Sequence, residues 1–138
     1  MARANAARAF WTAGALLALL HVGLAFHFHH GWSQDSAFSE TARQTEEVLG
    51  VPFGAGLYVN YAFIGVWLAD ALWWWRRPAR YAARPGGLDL GLRVFLLFIF
   101  VNGTIVFGRG AVRIAGIVSL LVLAIAWRLG SGRARERA

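Results

Sequence analysis

Four apolar runs decide what this chain can become. Residues 9–28, 53–75, 88–107 and 111–129 are each interrupted only by isolated polar groups, and none of them contains a proline. Each has about the twenty residues that a helix needs to cross the hydrocarbon core of a bilayer. Backbone amides and carbonyls have no water to bond in lipid, so a spanning segment must satisfy them internally, and only helices do so one segment at a time. The expected fold is an all-α integral membrane protein: a four-transmembrane-helix bundle forming a single membrane domain over residues 1–138. A short amphipathic outer helix and a basic tail at 130–138 complete it. Arg3 and Arg8 ahead of the first run give it a signal-like outline. The run is longer than a usual signal core and lacks a small-x-small cleavage site, so it reads as a retained first span.

The arginines orient the spans. All 14 basic residues are arginine. Arg3, Arg8, Arg76, Arg77, Arg80, Arg84, Arg93, Arg128, Arg133, Arg135 and Arg137 fall on one side of the fourfold crossing, and only Arg43, Arg109 and Arg113 on the other. The positive-inside rule then places both termini in the cytoplasm, and the short, arginine-only composition points to a bacterial inner (plasma) membrane. Trp73-Trp74-Trp75 would lie at the inner headgroup level and Trp32 at the outer one. The net charge of +7 follows this topology rather than a nucleic-acid surface. The expected surroundings are therefore the lipid bilayer and either further copies of the chain or a partner membrane subunit, with no nucleic acid.

The connections differ in kind. Gly108-Arg109-Gly110 is so short that the third and fourth spans must be antiparallel neighbours. In the outer loop, Phe38, Ala42, Thr45 and Leu49 recur at helical spacing, with Gly50 and Pro52 as stop signals. This predicts an amphipathic helix over 36–49, either on the membrane surface or folded over the bundle mouth.

Polar groups inside spans are costly and mark function or helix pairing. His21 lies six residues before His27, Asn60 six after Gly54 and Asn102 six before Gly108, which puts all three about 9 Å below the outer interface at 1.5 Å per residue. Ser119 lies a little deeper on the fourth run. His21, Asn60, Asn102 and Ser119 are the expected ligand-binding layer. Gly14, Ala18, His21 and Ala25 share a helix face narrow enough for close approach. The bland account of this layer is interhelical hydrogen bonding; the sharper one is a ligand or proton site open to the outside. Asp70 reads as a snorkelling partner of Arg76, Arg77 or Arg93.

All four histidines lie between His21 and His30. His27 and His30, three apart, can face one divalent ion, and Glu46 or Glu47 from the outer helix could complete an N/O metal site suited to Zn²⁺, Cu²⁺ or Fe²⁺. H-E-x-x-H is absent. Without cysteine, thiolate ligands and thiol catalysis are excluded. Haem is disfavoured, because all the histidines sit on or just beyond one span and one chain cannot offer a facing pair.

Three function classes follow. The first is an accessory or structural membrane protein with an outward-facing polar pocket, bearing His21, His27 and His30, that binds a metal ion, a small ligand or a partner subunit. The second is a metal-dependent membrane enzyme acting on a lipid or quinone-like substrate. The third is an oligomeric transporter or proton-coupled channel, for which the apolar stretch between Asn60 and Asp70 offers few polar stepping stones.

Overall fold

The structure is a computed structural model that describes the backbone of residues 2–135 and the side chains of residues 5–128. Every regular element among the described residues is helical. In chain order these are α1 (Ala2–Ala25), running on as a π-turn over Phe26–His30, then α2 (Gln34–Leu49), α3 (Gly56–Arg76) and the short α4 (Pro78–Ala82). They are followed by α5 (Gly86–Val101), running on as a second π-turn over Asn102–Val106, and α6 (Ala111–Arg135). Three helical stretches are long and apolar enough to cross a membrane: Asn5–His30, Gly86–Val106 and Ala111–Arg128. Helix α3 is long enough but less apolar, because Asn60, Asp70, two tyrosines and three of its four tryptophans fall within one such window. The chain forms two compact units, residues 1–96 and 97–138.

In the first unit α1 and α3 pack antiparallel. Trp75 Nε1 donates to Thr12 Oγ1 at 2.9 Å near one end, and Phe26 and Tyr61 rings lie 6.3 Å apart near the other. Between them Gly14 lets the Trp67 ring come in so closely that a β-carbon at position 14 would sit 2.8 Å from it. Trp67 also packs on Trp11 and Phe63, at 5.2 and 5.4 Å between ring centres. The packed face of α1 runs through Trp11, Gly14, Ala15, Ala18, Val22 and Phe26, with Ala15 only 1% exposed. His21 lies on the flank of that face and is exposed.

The predicted outer helix exists; of its expected face Thr45 is buried and Ala42 half-buried, while the two large residues at its ends are not. Ala37 and Thr45 are buried and Thr41 is half-buried, whereas Phe38 and Leu49 are exposed. The period of four was legible, but the phase follows small residues rather than large ones. Small side chains let α2 settle against the start of α3, where Thr45 Oγ1 accepts from the Phe53 amide at 2.7 Å. Phe38 rides on the shoulder over Gly54 and Tyr58. Ser33 caps the helix by accepting from the Ser36 amide, and Gly50 ends it in the left-handed region at φ 76°.

On the solvent side of α2, Arg43 bridges Glu40 and Glu47. Hydrogen bonds from Arg43 and then Gln44 hold the Glu40 carboxyl at about 2, below its ordinary 4.5. A lowered carboxyl contributes stability that is complete above its unfolded value and is lost as pH falls through its folded one. The thermal midpoint of the protein is therefore expected to exceed that of Glu40→Gln by a small margin above pH 4.5, with the two converging as the pH approaches 2. A difference that persists at pH 2 would mean that Glu40 acts by packing.

In the second unit α6 folds back against the π-turn at the end of α5. Gly116 lies so close to Thr104 and Ile105 that a β-carbon at 116 would overlap the Thr104 side chain. The short Gly108–Gly110 connection thus makes the expected antiparallel hairpin.

Candidate functional site

The most developed polar centre in the first unit is built around Asp70. This carboxylate is 5% exposed and accepts from three donors, one on α1 and two in the connection after α3. Trp11 Nε1 of α1 donates to Oδ2 at 2.9 Å, the Tyr81 hydroxyl of α4 donates to Oδ2 at 3.0 Å, and Arg84 donates to Oδ1 at 2.7 Å. Arg84 also pairs with Asp89 at the start of α5, and Asp89 accepts from Arg93 Nε at 2.7 Å. The arginine lies over the Tyr81 ring at 4.0 Å, and that ring stacks on Trp74 at 4.8 Å with planes 4° apart.

The local sequence explains why these groups meet. Helix α3 ends at Arg76, and Pro78 starts a single helical turn with its φ already set and no amide hydrogen to satisfy. Ala83-Arg84-Pro85 then brings the chain back towards the end of α3. Arg84 is therefore the ion-pair partner of Asp70, rather than Arg76, Arg77 or Arg93. The first two lie where the chain leaves the helix, and Arg93 is held by Asp89.

Burial works against the charge of Arg84, but its hydrogen bond to Asp89 and the nearby carboxylates raise its pKa all the same. Burial also raises the Tyr81 phenol, and the bond to Asp70 adds to the rise, so Tyr81 stays a donor at neutral pH. A buried carboxylate with three donors is satisfied, and it has little left to offer a passing proton or ligand.

The outer histidines are arranged differently. The π-turn at 26–30 exposes His27 and His29 and half-buries His30. Gly31 and Trp32 then both adopt left-handed backbone, at φ 55° and 61°, which turns the chain out of the helix axis. For Trp32 this conformation is strained. It is compensated by ring packing on Phe26 and His27 and by an Nε1 donation to His27 Nδ1 at 3.3 Å. His30 Nδ1 lies 3.4 Å from Ser36 Oγ.

The expected metal set of His27, His30, Glu46 and Glu47 does not assemble. Among the described residues no three histidine, aspartate or glutamate side chains come close enough to share an ion. One reason is geometric: the π-turn spaces the rings differently from an α-helix, and Glu47 faces Arg43 on α2.

The expected polar layer is split between the two units. His21 and Asn60 belong to the first and are exposed, and their side chains make no hydrogen bond among the described residues. The antiparallel pairs 12/75, 14/67 and 26/61 put His21 level with about residues 60–66 of α3. In the second unit Asn102 donates to the Phe98 carbonyl at 2.7 Å, so its amide serves its own helix where the π-turn begins. Ser119 is exposed on α6.

Sequence reading missed the roles of Tyr81, Arg84 and Trp11. The only signal for them was that an acid inside an apolar run needs a cation and further donors, and Pro78 and Pro85 bracket the segment that supplies two of the three. No family model matches the chain, and no curated protein or solved structure is similar to it.

Proposed function

We propose that the chain is a four-span accessory protein of a bacterial plasma membrane, with both termini cytoplasmic, that docks a partner subunit through the outer half of α1 and α3. The four-span reading takes α3 as a membrane helix despite its polar content. Its 21 residues reach about 31 Å. Asp70, its costliest group, is enclosed by Trp11, Tyr81 and Arg84 rather than presented to lipid.

One observation carries the docking role. The Asp70 centre is used up internally, while the side chains of His21 and Asn60 stand exposed at similar depth without a hydrogen-bond partner among the described residues. Polar side chains at membrane depth are stabilised by another helix that offers a hydrogen-bonding group, each such bond being worth about 0.6–2 kcal/mol. The fitting partner is therefore an apolar membrane helix with its own polar residue at that level. The saturated Asp70 weakens the transport reading, since it interrupts any proton path. The separated histidines and glutamates weaken the metal-enzyme reading.

The test is native electrophoresis of mildly solubilised membranes, with unfolding measured in parallel. The chain should migrate in an assembly larger than itself. His21→Leu and Asn60→Leu should release the lone chain while shifting the thermal midpoint by less than about 2 °C. An assembly unaltered in both variants would remove the proposal.

A further inference from the structure

The arginines joining α3 to α5 fall into two sets. Arg84 and Arg93 are committed to Asp70 and Asp89. Arg76, Arg77 and Arg80 are exposed, and their guanidinium groups make no ion pair, hydrogen bond or ring contact among the described residues. Arg77 and Arg80 border an open cleft of 430 Å³ whose wall is completed by Pro78 and Ala79. Three guanidinium groups without a carboxylate make a fixed positive field. Two of them beside a cleft offer planar forks that match the oxygens of a phosphate.

The position of the cleft selects the phosphate. The preceding residues are Trp73-Trp74-Trp75, and the segment runs on to Gly86, where the apolar stretch Gly86–Val106 begins. Arg8, near the start of the apolar stretch Asn5–His30, lies over the Trp75 ring at 5.2 Å. The ends of two membrane-length helices thus bracket this segment and set it at headgroup depth. The segment is also held in shape: Pro78 fixes the backbone, Tyr81 is stacked on Trp74, and Arg84 ties the chain that follows to Asp70. We propose that Arg77 and Arg80 grip the phosphate of an anionic phospholipid headgroup, with Arg76 adding to the field.

The full chain, reconstituted in phosphatidylcholine vesicles, would be probed with trace spin-labelled phosphatidylglycerol or spin-labelled phosphatidylcholine. The fraction of each label immobilised at the protein is the readout. The wild type is expected to favour phosphatidylglycerol by more than about fivefold, the factor that one arginine near a membrane surface gives. R77Q/R80Q should lose most of that preference, and each single substitution should fall part of the way, which keeps the test open should the double variant not fold.

Three results would overturn the proposal. One is an unchanged preference in R77Q/R80Q. Another is an equal loss in R109Q/R113Q, which would reduce the effect to net charge. The last is displacement of the lipid by millimolar inorganic phosphate at constant ionic strength, which would make the cleft a site for soluble phosphate.

Discussion

Replacing Asp70 with leucine should destabilise the protein by about 3–5 kcal/mol, the largest effect expected of any single change in the first unit. The loss is not that of one ion pair. Arg84, whose side chain is 9% exposed, would lose its carboxylate on the α3 side, and Trp11 Nε1 and the Tyr81 hydroxyl would lose their acceptor together. Asp70→Asn keeps an oxygen for the two neutral donors and removes only the charge, so about half the cost is expected. The decisive variant is Asp70→Leu/Arg84→Met. With both buried charges gone, it should recover about 1–2 kcal/mol relative to Asp70→Leu. Unfolding of the detergent-solubilised protein by increasing mole fractions of denaturing detergent measures all three. Costs that simply add in the double variant would mean that Asp70 and Arg84 are neighbours without coupling.

In the second unit the corresponding prediction concerns Gly108, which is buried at the end of the π-turn. A β-carbon there would overlap the Thr104 backbone carbonyl, and a backbone atom cannot swing aside as a side-chain tip can. Gly108→Ala should therefore cost about 2–3 kcal/mol through displacement of the hairpin. Gly103, where a β-carbon meets nothing within 4 Å, is the matched control and should change by less than about 0.5 kcal/mol. The same unfolding measurement, with protease cleavage at Arg109 as a second readout, separates the two. Equal stability of both variants would show that the turn gives way without cost.

The sequence made the helices legible because length and apolarity are summed over about twenty residues, and single exceptions do not change the sum. It was also sufficient for the antiparallel hairpin after α5, where two glycines around one arginine leave no other route. Phase was harder to read. His21 was expected on the packed stripe with Gly14 and Ala18, but the seam drifts towards Val22 and Phe26, because Trp11 and Phe26 contribute more contact than a small residue can.

The same reasoning found Thr45 on the buried face of α2 but took Phe38 for the anchor beside it, where Ala37 holds that place. The π-turns left no mark in the hydrophobic pattern, yet one of them sets the geometry of His27 and His30. Arg84 was out of reach for another reason. Its pairing with Asp70 depends on a reversal of the chain over 14 residues, which no local periodicity encodes.

The order in which the Asp70 centre can be completed bears on how such a chain enters a bilayer. Trp11 is synthesised long before α3, but Tyr81 and Arg84 follow Asp70 by 11 and 14 residues. Until they emerge, α3 carries an acid without its cation, and it lacks the apolar window that the three membrane-length stretches have. In the proposed four-span arrangement its commitment to the lipid waits for the segment behind it, so that α3 and its following loop integrate together against a first helix already in place. Assembly is in this sense written into the spacing of one carboxylate and its donors.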